Sequence, residues 1–211
     1  MSGPTLVIDL ADPLSPASVR ALRELMVGLS CRFTEIRPGS YDVHVPAERL
    51  GIEDTRDPDW RKPYPLPLLA GQPTDASLAA LVGFNPRRED RRRPFDVYLM
   101  GAGAGDESIF ESEQAEEDEI EALLGFRAAQ AVNVSAACNG AIDHAATALL
   151  TAAVLDVIGG VCKAELAPGQ ASVTADLPGL IAVADDGWDT ALVTAEFLRA
   201  WVARPGFRLV K

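Results

Sequence analysis

The stretch from Val132 to Gly160 constrains the fold more than any other, because several independent signals agree there on one unit. Val132-Asn133-Val134-Ser135-Ala136-Ala137-Cys138 alternates apolar and small polar residues, the period of a strand. Asn139-Gly140 breaks that period. From Ala141 to Ile158 the chain is rich in Ala and Leu, and Ile142, Ala146, Leu149, Ala153 and Val157 fall at helical spacing, which predicts a helix with that stripe inward. Gly159-Gly160 ends it. The unit is strand, tight turn and long helix, and its turn carries Cys138, Asn139, Asp143 and His144.

A chain of 211 residues with 48% hydrophobic and 24% charged residues can bury a sizeable core and is not of disordered composition. Its start lacks a basic region ahead of the short apolar run, so no signal peptide is expected. No uncharged apolar run is long enough to span a bilayer; the nearest, Ala145 to Val157, is Ala-rich and interrupted by Thr147, Thr151 and Asp156, so no membrane association is expected. Cys31, Cys138 and Cys162 are odd in number and lack C-x-x-C spacing. They predict a reducing, cytoplasmic setting with no disulfide framework and no zinc site.

The formal charge of −12 is unevenly placed. Residues 1–100 hold 13 basic and 14 acidic residues, residues 101–211 hold 6 and 17, and nine of the acids lie between Asp106 and Glu121 without one Lys or Arg. Such a chain repels nucleic acid and attracts basic partners.

In order, Pro4 to Leu10 predicts a strand, and Ser15-Pro16 starts a helix that buries Val19, Leu22, Leu25, Met26 and Leu29. Cys31 to Arg37 and Tyr41 to Val45 read as a hairpin turned by Pro38-Gly39, with Tyr41, Val43 and Val45 on one face and Asp42 and His44 on the other. A long proline-rich loop, 46–74, contains Trp60, Tyr64, Leu66, Leu68 and Leu69 to pin it down. A short helix from Asp75 to Val82 and a strand from Phe95 to Met100 follow. Gly101 to Gly105 lacks the third glycine of a dinucleotide loop, with Asp106 where it should stand, and reads as a flexible connector. Glu113 to Leu124 predicts one acidic helix. Beyond the central unit come a strand from Val161 to Leu166, another from Ala171 to Leu177, and a hairpin turning at Asp186-Gly187 with Trp188 at its tip. A helix capped by Thr194 that buries Phe197, Leu198, Trp201 and Val202, and a last strand from Phe207 to Val210, complete the chain.

This order of elements predicts an α+β fold of two ferredoxin-like β-α-β-β-α-β halves, residues 1–105 and 131–211, joined by an acidic linker helix over 106–130. A single mixed sheet using all the strands is the alternative plan.

Three groups of residues bear on function. Cys138 with His144, Asp143 and Asn139 has the makings of a thiol nucleophile and its base, since a strand end feeding a helix N-terminus lowers a thiol pKa. Against that, Asn139-Gly140 serves as a turn, Asp143 complements the helix dipole, and His144 faces solvent. His44 is the other histidine and would have to approach His144 to join it. Arg87, Arg88, Arg91, Arg92 and Arg93 suit phosphate but are part-neutralised by Glu89 and Asp90, and the overall charge opposes nucleic acid. Glu111, Glu113, Glu116, Glu117, Asp118, Glu119 and Glu121 lack the spacing of a calcium loop and form an anionic surface suited to a basic protein.

The run Cys138-Asn139-Gly140-Ala141-Ile142-Asp143-His144, then Gly159-Gly160-Val161, Ala195-Glu196-Phe197-Leu198-Arg199-Ala200-Trp201 and the closing Phe207-Arg208-Leu209-Val210-Lys211 resemble a family of bacterial proteins of about this length with no established activity. Its pattern runs C-N-G-P-V-D-H, G-G-V, E-F-L-R-A-W-L and F-R-M-[IV]-K. Ala141 stands for the proline and Leu209 for the methionine. After Gly160 the family continues with an aspartate, an aromatic residue and glycines, whereas this chain has Cys162-Lys163-Ala164-Glu165. The small acidic α+β character is similar to that of immunity proteins that neutralise bacterial toxins. The expectation is a cytoplasmic, non-enzymatic inhibitor of a basic toxin domain, without metal or cofactor. The alternative is a small hydrolase or transferase using Cys138 and His144.

Overall fold

The structure, a computed structural model, describes residues 3–52, 92–115, 117–185 and 189–210. The helix expected over 75–82, most of the proline-rich loop, Arg87, Arg88, Arg91, Glu116 and the tip 186–188 lie outside the described residues.

Eight strands form one antiparallel sheet: β1 Thr5–Leu10, β2 Arg32–Arg37, β3 Ser40–Pro46, β4 Arg92–Gly101, β5 Gln130–Ala136, β6 Val161–Glu165, β7 Leu180–Asp185 and β8 Asp189–Val193. Their spatial order is β2-β3-β4-β5-β1-β6-β8-β7. The helices are α1 Pro16–Leu29, α2 Glu107–Gln114, α3 Asp118–Leu124, α4 Ala141–Ile158, α5 Gln170–Thr174 and α6 Ala195–Val202, with one 3-10 turn at Ala47–Leu50. The α+β class is as expected, but two separate sheets are not formed. β1 lies between β5 and β6, so the first strand of one expected half is built into the other. Element order along the chain does not carry this interleaving, which is decided by pairing between distant residues.

Alternation along the strands sorts the two faces. Leu6, Ile8 and Leu10 of β1, Val132 and Val134 of β5, Val97 and Leu99 of β4, and Tyr41, Val43 and Val45 of β3 join the main core under α1, α4 and α6. Burying Trp201 and Phe197 fixes α6 there, with the Trp201 ring meeting Phe207 edge-on at 5.0 Å. The opposite face has two small apolar clusters, one with Phe110 of α2 and one with Ile120 of α3. Between those clusters and β2 the sheet face is polar.

Local chemistry explains both agreements and corrections. Ser15 caps α1, its hydroxyl accepting the Ser18 N–H at 3.1 Å, as Ser15-Pro16 foretold. In α4 the expected inward stripe is wrong: Ala146 is buried, but Val157 is exposed, and the buried set runs from Asp143 and His144 through Thr147 and Thr151 to Leu155. This helix is apolar nearly all round because it is covered by the sheet, α1 and α6, so its periodicity could not mark a face. Residues 171–177 are not a strand. Gln170 holds a helical turn there, accepting the Ala167 N–H at 2.7 Å and donating to the Arg208 carbonyl at 2.9 Å. Phe207 to Val210 is not a strand either, its Leu209 N–H being given to a side chain. Gly101 to Gly105 is a hydrogen-bonded turn, not a loose connector. Gly101, Gly103 and Gly105 all take positive φ, and a Cβ on Gly105 would meet Arg37 Nη1 at 1.9 Å.

Candidate functional site

The turn after β5 places Cys138 and Asn139 at the surface and His144 in the core. Burial and the Asp143 carboxylate push the Cys138 thiol above its ordinary value, with Arg93 opposing, so the thiolate is disfavoured where a nucleophile needs it. His144 is buried, not solvent-facing, and its Nδ1 accepts the Leu209 N–H at 3.2 Å, which puts the proton on Nε2 and makes the ring an anchor for the C-terminal segment. Asp143 Oδ2 accepts the Gly140 N–H at 2.6 Å and starts α4, while its Oδ1 lies 3.3 Å from Arg93. Of the five arginines, Arg93 thus reaches the turn, as a partner of Asp143. His44 projects from the opposite face of the sheet and does not join His144.

The acidic segment is also rearranged. Instead of one helix over 113–124 there are two, Glu107–Gln114 and Asp118–Leu124. The break turns Glu117 inward: its carboxylate receives Lys163 Nζ at 2.5 and 2.6 Å. Glu121 lies 3.4 Å from Arg127. Glu111, Asp118 and Glu119 remain exposed on the outside of α2 and α3, and no described cation pairs with them.

The polar face of the sheet between these helices and β2 is the site that sequence reasoning missed. Thr34, Asp42, Asp96, Ser135 and Thr5 stand in register across β2, β3, β4, β5 and β1. Asp42 and Asp96 are directly opposed like charges. Burial and Asp42 together raise the Asp96 pKa. Thr5 and Ser135 hydroxyls meet at 2.6 Å, and Ser135 donates to Asn133 Oδ1 at 2.9 Å.

Beside that row lies a cleft of about 290 Å³, lined by Thr5, Val7, Glu117, Asn133, Lys163, Glu165 and Thr190 among others. Two of its lining residues are paired, and the same ammonium reaches a buried aspartate behind them: Lys163 Nζ is 2.5 Å from Glu117 Oε1 and 3.1 Å from Asp9 Oδ2. The side chains of Asp9, Lys163 and Glu117 are 1, 11 and 17% exposed. Burial opposes the lysine charge, but Asp9 and Glu117 outweigh it and hold the ammonium above its usual range. Two signals were available in the sequence: an aspartate in the apolar run of β1, which must find a cation if buried, and a lysine in the short apolar strand Val161–Glu165. That lysine stands in the segment where the chain departs from the pattern it resembles.

Among the described residues no group of three or more His, Cys, Asp and Glu side chains is placed to hold a metal ion. All three cysteines are free. Among the described residues one helix, Ala141–Ile158, is long and apolar enough to cross a membrane, and it is the α4 core helix. No curated protein and no solved structure matches the chain. Over residues 2–211 the chain matches a family of unknown function (DUF6368), and it belongs to that family.

Proposed function

We propose that the chain is a non-enzymatic, cytoplasmic binding protein whose partner is a basic protein surface, in the manner of an immunity-type inhibitor that occludes a toxin. The observation that carries the reading is the set of exposed carboxylates Glu111, Asp118 and Glu119 on α2 and α3, with which no described cation pairs and which flank the same sheet face that holds Asp42 opposite Asp96. Opposed like charges cost stability, and a cationic partner relieves that cost while steering its own approach. The cysteine-dependent alternative has the raised Cys138 thiol and the committed His144 Nδ1 against it.

The test is affinity for an arginine-rich peptide, by titration at two salt concentrations. Replacing Glu111, Asp118 and Glu119 with Lys should weaken binding at least about tenfold and flatten its salt dependence. Replacing the exposed Asp12, Glu24 and Glu196 with Lys makes the same net change elsewhere and should weaken it far less. Equal losses in the two triple variants would mean that the peptide responds to net charge alone, and the reading would fail.

A further inference from the structure

We propose that the groove between the first half of α1 and the Pro38-Gly39 turn binds a small apolar acid, one carboxylate on a short hydrocarbon body. The inference does not depend on the protein-binding reading, because α1 lies on the face of the sheet opposite α2 and α3.

In sequence Pro16, Val19, Arg20 and Arg23 stand three, one and three positions apart, so they form one stripe along α1. Across a groove of about 450 Å³ that stripe, with Leu14 before it, meets Glu35 and Pro38 of the β2–β3 hairpin. The volume lies in the usual range of small-molecule sites, about 300–1,000 Å³. The walls are tied together without a ligand. The Gly39 N–H donates to the Tyr41 hydroxyl at 3.2 Å, and that hydroxyl donates to the Val19 carbonyl at 3.5 Å, so the buried Tyr41 joins turn to helix. Leu14, Pro16, Val19 and Pro38 give the groove its apolar sides.

The charges at its border specify what the apolar body must carry. Arg23 Nε donates to Glu35 Oε2 at 2.7 Å, and its guanidinium carbon lies 5.3 Å from the centre of the Phe33 ring. These contacts position the head group, while its two terminal nitrogens bond to no described residue. Arg20 is exposed and pairs with no described carboxylate. Two guanidinium groups therefore border a groove lined by one carboxylate, Glu35, which Arg23 already neutralises. Glu24, which also acts on Arg23, is exposed and does not line the groove. A ligand carboxylate finds donors in the fork geometry that suits it, and a ligand cation meets two like charges. Exposed arginines give a modest pairing, and burial of the hydrocarbon body supplies the rest.

The amide resonances of the isotope-labelled full chain would be followed during addition of octanoate, with acetate, 1-octanol and octylammonium as controls. Saturable shifts are expected at Leu14, Val19, Arg20, Arg23 and Glu35 with octanoate. Acetate lacks the body and should give none. Octanol and octylammonium lack the negative charge and should bind at least about threefold more weakly. Arg20→Gln should weaken octanoate binding about threefold, and Arg20→Gln combined with Arg23→Gln about tenfold. Arg199→Gln removes an exposed arginine from α6 and should leave binding unchanged; all three side chains are exposed, so the variants keep the fold. The shifts should persist when Glu111→Lys, Asp118→Lys and Glu119→Lys are combined, so this site and the outer acidic surface succeed or fail separately. Octanol or octylammonium binding as tightly as octanoate, saturable shifts with acetate, indifference to loss of both arginines, or octanoate shifts scattered away from the groove would each overturn the proposal.

Discussion

Lys163 is held by two buried or nearly buried carboxylates, so removing it leaves charges in a poorly solvated site. Lys163→Met should therefore destabilise the fold by about 3–5 kcal/mol, the usual consequence of breaking a buried pair on one side. Adding Asp9→Asn should return part of that loss in denaturant unfolding. The pH dependence has a definite sign. A lysine raised in the folded state contributes fully below its ordinary value of about 10.4 and loses that contribution as pH rises through the folded value. Wild type should then lose stability above that pH, and the Met variant should lack this limb. Asp96 behaves the other way. Its raised pKa is a penalty present at neutral pH and relieved as pH falls, so Asp96→Asn should stabilise the protein at pH 7 by about 0.2–1 kcal/mol, less in high salt. Unchanged stability at low salt would remove Asp42 and Asp96 as a source of strain.

Among the elements, α4 and the segment after α6 depend on each other. His144 Nδ1 and Gln170 Nε2 hold the Leu209 N–H and the Arg208 carbonyl, bonds a ladder strand would otherwise supply. His144→Ala should cost about 1–3 kcal/mol through the orphaned Leu209 N–H, and it should loosen the end of the chain to proteolysis. It should not lower the reactivity of Cys138 toward an alkylating reagent, whose rate should titrate above the ordinary thiol value of about 8.5 in both proteins. A loss of reactivity with His144 would restore the thiol–imidazole reading. At this scale the sequence was informative wherever structure is local. Ser15-Pro16 marked the start of α1, Pro38-Gly39 the hairpin, and the alternation of Tyr41, Val43 and Val45 assigned Asp42 and His44 to the other face. It was uninformative where contacts are distant. Nothing near Glu117 announces that the helix breaks so this one carboxylate can reach Lys163, 46 positions away. Nor does the pattern of Phe207 to Val210 show that side chains, not a strand, take up its backbone groups.

At the scale of the molecule, three helices bury one face of an eight-stranded sheet, while the other face keeps a polar row, a small charged cleft and an acidic border. The acidic run from Asp106 to Glu121 was legible at once, but the pairing of Asp9 with Lys163 was not, because it depends on β1 being inserted between β5 and β6. In the proposed function this polar face, and not the turn at Cys138, meets the cationic partner. Mapping amide shifts of the labelled protein on addition of an arginine-rich peptide tests this most directly. The expected shifts are concentrated at Thr34, Asp42, Asp96, Ser135 and along α2 and α3. Shifts gathered instead around Cys138, Asn139 and His144, or spread evenly over every acidic surface, would contradict it.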